Sequence, residues 1–370
     1  MSDAFVGETM KTTNDGLKWA KAGPGVIPAW VADMDLPTAP AVIEALHRRA
    51  DGDLGYPVWF DDPASGPLAE AFAERMATRY GWSPDPRLVR SYSDINQALQ
   101  VLLHVWTSPG DAVALHTPAY HPFLSTLESM DRPLRSIQLR PDGDSWRFEV
   151  PDLSGCKVLL LVNPHNPTGR VFSREELEEL AEHAERHDLM VIADEIHADL
   201  VYEPHRHIPF ATILPDRTVT LTSATKAFNL GGVRCSVAHL GASGVREALD
   251  AQPPFLFGSA HVFGVEATVA AWRHGDAWLE ETRALLDRNR HAIAARLPAG
   301  VTYRIPQATY LAWLDYGRPG VAEALEREAK VLLSDGAFFG PGGETHVRLN
   351  FATSEPVLAE VLRRIAAATL

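Results

Sequence analysis

The sequence has no long hydrophobic run. Its 370 residues contain no stretch of about 18 consecutive apolar residues, the length that a membrane-spanning helix needs. The first twenty residues, MSDAFVGETMKTTNDGLKWA, contain no apolar segment of the kind found in secretory signal peptides. We therefore predict neither a membrane partner nor export.

Cysteine is scarce. Cys156 and Cys235 are the two cysteines of the sequence, and both lie in or beside apolar runs. This pattern predicts buried free thiols rather than a disulfide or a catalytic pair, which is typical of proteins in the reducing cytoplasm. We expect a cytoplasmic protein.

Positive charge is also in deficit. The sequence has 34 Lys and Arg against 48 Asp and Glu, a formal net charge of −14, and no basic cluster offsets it. The long-range field would repel a phosphodiester backbone, so nucleic acid is excluded as the main partner. Hydrophobic residues make up 46% and charged residues 22%, the proportions of a globular enzyme rather than a disordered or fibrous chain.

Apolar strands, each followed by a polar loop and a helix-length segment, recur along the first two thirds of the chain. A capping box of Ser173 and Glu176 marks the start of one such helix, which we expect to run to about His187. The pattern predicts a three-layer α/β/α fold around a mostly parallel sheet. The predicted strands are 113–116, 158–162, 189–193 and 219–222.

The chain is long enough for two domains that share a cleft. We predict that residues 1–40 form an N-terminal arm and part of a small domain, and that residues 41–255 form the large ligand-binding domain. Residues 256–370 begin with helices and continue with short strands, which predicts a smaller α+β domain.

Lys226 is the candidate nucleophile. It follows the predicted strand 219–222, and ligands of open α/β sheets bind beyond the carboxyl ends of the strands. A partly desolvated lysine there can attack a carbonyl to form a Schiff base. Ser223 and Arg234 flank it and could hold a phosphate. A Schiff-base lysine with a phosphate clamp suggests pyridoxal 5′-phosphate as the cofactor.

Four further residues could complete such a site. Asp194 ends a buried strand, where a carboxylate needs a cation such as a protonated pyridine nitrogen. Asn166 or His197 could bond the ring oxygen, and Tyr120 could stack on the ring. Each has a structural alternative: Asp194 as a helix cap, Asn166 as a turn residue and Tyr120 as a core residue.

A helix start at 93–97 is a candidate phosphate site. The backbone N–H groups around Asp94 and Ile95 would favour an anion. The Asp94 carboxylate would repel a phosphate unless it points away, and an N-cap role would explain Asp94 equally well.

These motifs together resemble the aminotransferase class I/II superfamily of fold-type I pyridoxal phosphate enzymes, specifically the cystathionine β-lyase (C–S lyase) subgroup typified by MalY and PatB. The resemblance extends along essentially the whole chain. It is carried by VADMD at 31–35, GYP at 55–57, TPAYHPF at 117–123, NPHNPTGRVF at 163–172, DEIHADLV at 194–201, SATKAFNLGGVR at 223–234 and HVRLNFA at 346–352.

The resemblance implies a role for each matching position. Lys226 would bind the cofactor and shuttle protons, with Tyr120 beside it. Arg348 would bind the substrate α-carboxylate, with Asp33 and Tyr56 as further candidate substrate-binding residues. Tyr56 would also reach the phosphate of a neighbouring subunit, which implies a homodimer with shared sites. The cofactor contacts would come from Tyr56, Asp94, Ile95, Tyr120, Asn166, Asp194, His197, Ser223, Lys226 and Arg234.

The implied reaction is α,β-elimination of a cysteine S-conjugate to a thiol, pyruvate and ammonia. The alternatives are an aminotransferase or an oxidative decarboxylating relative on the same scaffold, and a cofactor-sensing regulatory domain. The last kind carries an N-terminal helix-turn-helix segment, whereas this sequence begins almost directly at its arm. Two positions depart from the family pattern: the phosphate turn reads SYSDIN, and the acidic residue expected after KW is Ala20.

Overall fold

The computed structural model describes residues 16–60, 66–253 and 255–369. The first fifteen residues, which include most of the segment searched for a signal peptide and the beginning of the predicted arm, lie outside this range. Within the described ranges, no helix combines the length and the apolar character needed to cross a membrane.

Helices and strands alternate through most of the described chain. The helices are α1 (Leu17–Ala20), α2 (Pro40–Ala50), α3 (Pro67–Tyr80), α4 (Ile95–Trp106), α5 (His121–Ser129), α6 (Arg174–Arg186), α7 (Val245–Asp250), α8 (Val262–His274), α9 (Asp276–Ala294), α10 (Val321–Ala324) and α11 (Glu355–Ala367). The strands are β1 (Ile27–Pro28), β2 (Val89–Tyr92), β3 (Ala112–Thr117), β4 (Leu134–Gln138), β5 (Arg140–Asp142), β6 (Ser145–Arg147), β7 (Cys156–Val162), β8 (Met190–Asp194), β9 (Thr218–Thr222), β10 (Ser236–Leu240), β11 (Thr302–Tyr303), β12 (Leu311–Asp315), β13 (Val331–Leu332), β14 (Ser334–Asp335) and β15 (His346–Asn350).

The central sheet has seven strands in the order β2-β10-β9-β8-β7-β3-β4. The five strands from β9 to β4 are parallel, and β10 runs antiparallel to both of its neighbours. β7, β8 and β9 are buried along almost their whole length, because helices cover both faces. The predicted mostly parallel α/β sheet is confirmed.

Local sequence signals explain where several elements begin. The capping box of Ser173 and Glu176 is formed at the start of α6, which ends at Arg186. Asp94 is the N-cap of α4, where its carboxylate accepts a hydrogen bond from the Gln97 N–H (2.9 Å). Cys156 and Cys235 are free and buried, as predicted.

The C-terminal part contains a second, antiparallel sheet in the order β11-β12-β15-β14. The N-terminal arm joins this part, since β1 pairs in parallel with β13, with Ile27 opposite Val331. The segment 29–36 then contacts β15, where the Asn350 N–H donates to the Ala29 oxygen (2.8 Å), and the loop after β9, where Asn229 Oδ1 accepts from the Met34 N–H (3.0 Å). The domain boundaries near residues 40 and 255 stay a prediction.

Candidate functional site

A cavity lies beyond the carboxyl ends of the parallel strands. Loops after β3, β7, β8 and β9 and the start of α4 line it, together with Ala32 of the arm. The arrangement follows from the fold, because parallel strands bring their carboxyl ends to one edge of the sheet. The predicted site residues that line the cavity are Asp94, Ile95, Tyr120, Asn166, Asp194, His197, Ser223, Lys226 and Arg234.

Lys226 lies in the loop after β9 and extends its amine to the arm. Its Nζ donates a hydrogen bond to the backbone oxygen of Ala32 (2.8 Å), which also accepts one from the Tyr310 hydroxyl (3.1 Å). Loss of hydration lowers the pKa of Lys226 to about 8, although the nearby Asp33 carboxylate opposes this shift. A lysine with this pKa is partly neutral near physiological pH and therefore nucleophilic.

Asp194 is the last residue of β8 and is 4% exposed. Its carboxylate accepts a hydrogen bond from the Ile196 N–H (3.1 Å), and burial raises its pKa to about 7. A buried carboxylate of this kind is stabilised when a cation binds against it. The protonated ring nitrogen of pyridoxal phosphate is such a cation, so the acid at the floor of the cavity fits that cofactor.

Arg348 projects from β15 of the second sheet and connects it to the cavity. Its guanidinium donates to Asn166 Oδ1 (3.0 Å) and to the Trp30 backbone oxygen (3.1 Å), and it lies 4.9 Å from the centre of the Phe339 ring. Burial lowers the pKa of Arg348 to about 10, so the group stays charged at neutral pH. The structure thus brings a buried cation next to the loop that carries Asn166.

Tyr120 and His197 contribute rings to the cavity wall. Tyr120 is half-buried and packs edge-to-face on Phe123, with ring centroids 5.2 Å apart. His197 is 2% exposed, and burial beside Lys226 and Arg348 lowers its pKa to about 3, so its imidazole is neutral. Its Nδ1 is buried without a hydrogen-bond partner in the described part of the chain.

The phosphate end contains the residues predicted for it, and each of them has polar partners within the protein. Arg234 forms an ion pair with Asp94, and its backbone is left-handed at φ 56°. Ser223 Oγ donates to the Cys235 backbone oxygen (2.6 Å) and accepts from the Thr225 N–H (3.0 Å). Asp94 therefore points towards the cavity cation rather than away from it, while also capping α4.

Asp33 and Tyr56 lie apart from the cavity lining. Asp33 is half-buried beside Lys18 and Lys226, and burial raises its pKa although both cations oppose the shift. Tyr56 is 84% exposed and lines a separate surface groove with Pro57, Phe60 and His261. Within one chain, the structure does not bring Tyr56 to the cavity.

Two asparagines that the sequence reasoning did not assign hold the arm in place. Asn229 pairs with the backbone of Met34 through both its oxygen (3.0 Å) and its nitrogen (3.1 Å). Asn350 donates to the backbone oxygens of Val31 and Asp33, both at 2.6 Å. Each lies two or three positions after a predicted site residue, Lys226 or Arg348, and that proximity was the available signal.

Comparisons with known proteins agree with this geometry. The family model "Aminotransferase class I and II" matches residues 32–365. The cystathionine β-lyase PatB of Bacillus subtilis is 33% identical over 385 residues, which cover 95% of this chain and 96% of that protein.

Two solved structures are similar in fold. The pyridoxal phosphate-bound C–S lyase of Staphylococcus hominis has a TM-score of 0.87 and 28% identity, covering 95% of this chain and 96% of that one. Cystalysin of Treponema denticola, which contains pyridoxal 5′-phosphate, has a TM-score of 0.90 and 25% identity, covering 99% and 98%. The predicted fold-type I architecture is confirmed, and the chain belongs to the aminotransferase class I and II family, in the group of the PatB-type cystathionine β-lyases.

Proposed function

We propose that this protein is a pyridoxal phosphate-dependent C–S β-lyase that acts on a cysteine S-conjugate such as cystathionine. The observation that carries the proposal is a single cavity containing a lysine of lowered pKa and a buried acid, with a buried arginine at its edge. The names of the relatives favour elimination over transamination, since PatB is a cystathionine β-lyase and the Staphylococcus protein is a C–S lyase.

The bound cofactor supplies an electron sink that stabilises negative charge at the substrate Cα. Asp194 would pair with the ring nitrogen and keep it protonated. Asn166 or His197 would bond the ring oxygen, and the Tyr120 ring would stack on the cofactor. Ser223, Arg234 and the backbone at Ile95 would bind the phosphate.

Arg348 would bind the substrate α-carboxylate and fix the orientation of the Cα–H bond. The Lys226 amine takes the Cα proton, the Cβ–S bond breaks, and the sulfur leaves as a thiolate that is protonated to the thiol. The remaining three-carbon fragment reacts with water to give pyruvate and ammonia. One substrate and one water thus yield three products without an oxidant or a second amino acid.

We propose that the protein acts as a homodimer. Six apolar side chains, each between 41% and 100% exposed, lie on the two segments 54–60 and 255–256. The rings of Tyr56 and Phe60 are 4.6 Å apart and those of Phe60 and Phe255 are 6.2 Å apart, so the two segments form one surface. Exposed apolar patches of this kind support a subunit interface. We name this surface the apolar patch: Leu54, Tyr56, Val58, Phe60, Phe255 and Leu256.

The proposed partners and compartment follow from charge and thiol chemistry. A small-molecule amino acid is the proposed substrate, and neither nucleic acid nor a membrane is proposed as a partner. The net charge of −14 supports the first exclusion. We place the protein in the cytoplasm, which the two free, buried cysteines support.

Product analysis tests the reaction. The purified holoenzyme incubated with L-cystathionine should release pyruvate and a thiol without any added 2-oxo acid. The K226A variant should lose this activity and the borohydride-reducible cofactor absorbance, whereas K157A, which changes an exposed lysine on β7, should keep both. A strict requirement for a 2-oxo acid would identify an aminotransferase instead.

A further inference from the structure

The carboxylate of Asp94 is bound to the guanidinium of Arg234, the cation that would bind the cofactor phosphate. It forms an ion pair with Arg234 and also accepts hydrogen bonds from the Gln97 N–H (2.9 Å) and from Ser93 Oγ (3.1 Å). Asp94 and Arg234 both line the cavity, as do Ile95 and Asn96 of the first turn of α4, where backbone N–H groups have no partner within the helix. An anionic side chain therefore lies in the part of the cavity that favours an anion.

The other phosphate donor is internally satisfied as well. Ser223 Oγ donates to the Cys235 backbone oxygen at 2.6 Å and accepts from the Thr225 N–H at 3.0 Å. The left-handed backbone of Arg234 is uncommon for a residue with a side chain, so the chain at this position is tightly specified. Arg234 lines the cavity, although its side chain is 51% exposed.

We propose that Asp94 sets the affinity for the cofactor, because its carboxylate pairs with Arg234 and competes with the phosphate group for that cation. The same carboxylate also caps α4 and neutralises Arg234. Phosphate binding must break or share this ion pair and place two negative charges near each other. The inference concerns cofactor capture and is independent of which substrate bond the enzyme breaks.

The matched variants are D94N and D94S, with D250N as the control. Asparagine and serine both cap helices well, so each removes the charge and keeps the cap. Asp250 forms a comparably exposed ion pair with Arg90 (2.5 Å) outside the cavity lining, so D250N removes the same charge elsewhere. Full-length protein stripped of cofactor is titrated with inorganic phosphate, pyridoxal phosphate and pyridoxal, which lacks the phosphate group.

We expect D94N and D94S to bind inorganic phosphate and pyridoxal phosphate about tenfold more tightly than the wild type at low salt. The gain should shrink as the ionic strength rises, because the repulsion is screened. Pyridoxal affinity should stay unchanged, and D250N should match the wild type for all three ligands.

Three outcomes would overturn the inference. One is an unchanged or weaker phosphate affinity in both Asp94 variants. Another is an equal gain for pyridoxal, which would indicate a change in the ring site. The third is an equal gain in D250N, which would indicate a general effect of net charge. If one Asp94 variant fails to fold, the other decides.

Discussion

Arg348 Nη1 donates a hydrogen bond to Asn166 Oδ1 across 3.0 Å, which joins β15 of the second sheet to the loop after β7 of the central sheet. The contact connects the proposed carboxylate-binding residue with a proposed ligand of the cofactor ring. Both side chains are at least 94% buried, so Arg348 cannot move into solvent without taking the hydrogen bond from the Asn166 oxygen. The site therefore depends on how the two sheets are positioned.

Replacing Arg348 with lysine tests the carboxylate-binding role. Lysine keeps the charge but lacks the planar fork that binds a carboxylate through two parallel hydrogen bonds. We expect kcat/KM of R348K for L-cystathionine to fall about 100-fold, mainly through KM, with little change in cofactor affinity. Steady-state kinetics and cofactor titration measure the two effects. R327K, at an exposed position of the same part of the chain, is the control. An unchanged KM in R348K would show that another residue binds the substrate α-carboxylate.

Replacing Lys226 with methionine tests how much the buried, protonated amine destabilises the folded protein. Its pKa falls from 10.5 to about 8 on folding, so below pH 8 the cofactor-free protein carries the full cost of the buried charge. We expect cofactor-free K226M to be more stable than the wild type at pH 7 by about 1–3 kcal/mol. Between pH 8 and 10.5 the unfolded wild type binds more protons than the folded form, so wild-type stability rises and the gap narrows.

Denaturant unfolding at pH 7 and at pH values from 8 to 10 measures this gap. A gap that stays constant with pH would assign the change to packing of the methionine side chain rather than to ionisation.

Replacing Asp194 with asparagine should affect stability and activity in opposite directions. Burial raises the pKa of Asp194 from 3.8 to about 7, so wild-type stability falls as the pH rises through that range. The D194N side chain cannot ionise, and we expect the cofactor-free variant to be about 2–4 kcal/mol more stable than the wild type at pH 8. The gap should narrow towards pH 4.

The holoenzyme should show the reverse effect. Without the acid on the ring nitrogen, we expect kcat of D194N to fall at least about 100-fold. Lyase assays and unfolding curves on the same preparation give both numbers. If D194N loses stability at pH 8 and keeps its activity, Asp194 does not have the proposed role in the site.

Regular apolar patterns made much of the fold predictable. The strands β3, β7, β8 and β9 were identified from runs of apolar residues, which burial on both faces imposes. The antiparallel strand β10 was not identified. An apolar run does not encode strand direction, and the segment between β9 and β10 is the lysine loop rather than a long crossover helix.

The candidate site was likewise predictable only in part. Lys226 and Asp194 were found because charged groups at the ends of apolar strands call for a chemical explanation. Arg348 lies in the middle of β15 and was identified only through the family resemblance. The backbone oxygens of Trp30 and Ala32, which accept hydrogen bonds from Arg348 and Lys226, could not be found, since every residue carries such an oxygen. Their position depends on the path of the arm, which is a tertiary property.

Replacing Asn350 with alanine tests whether the arm positions the site. The change removes a donor to the backbone oxygens of Val31 and Asp33 and the acceptor for the buried Ala352 N–H (2.7 Å), which is left unpaired. We expect a loss of stability of about 2–4 kcal/mol. We also expect kcat to fall, because the arm carries the Ala32 oxygen that binds Lys226.

Asn289 offers a matched control. It is also buried and donates to two backbone oxygens, those of Phe351 and Thr353, both at 2.9 Å, without contacting the arm. N289A should lose comparable stability while keeping kcat under conditions where it is folded. Equal kcat values in N350A and N289A would show that the position of the arm does not affect catalysis.

Replacing Val58 with aspartate tests the proposed dimer. Val58 is fully exposed in the single chain and belongs to the apolar patch, so burying it in an interface would desolvate the new charge. We expect V58D to sediment as a monomer at concentrations where the wild type is a dimer. The monomer should also lose activity and cofactor affinity if Tyr56 of one subunit completes the site of the other.

The control is L134D, which adds the same charge at another partly exposed apolar residue. Leu134 lies on β4, the edge of the central sheet opposite β2. L134D should stay dimeric and active, because no part of the apolar patch lies on that edge. A V58D protein that is monomeric and fully active would show that each chain holds a complete site, and Tyr56 would then have no role in either subunit's chemistry.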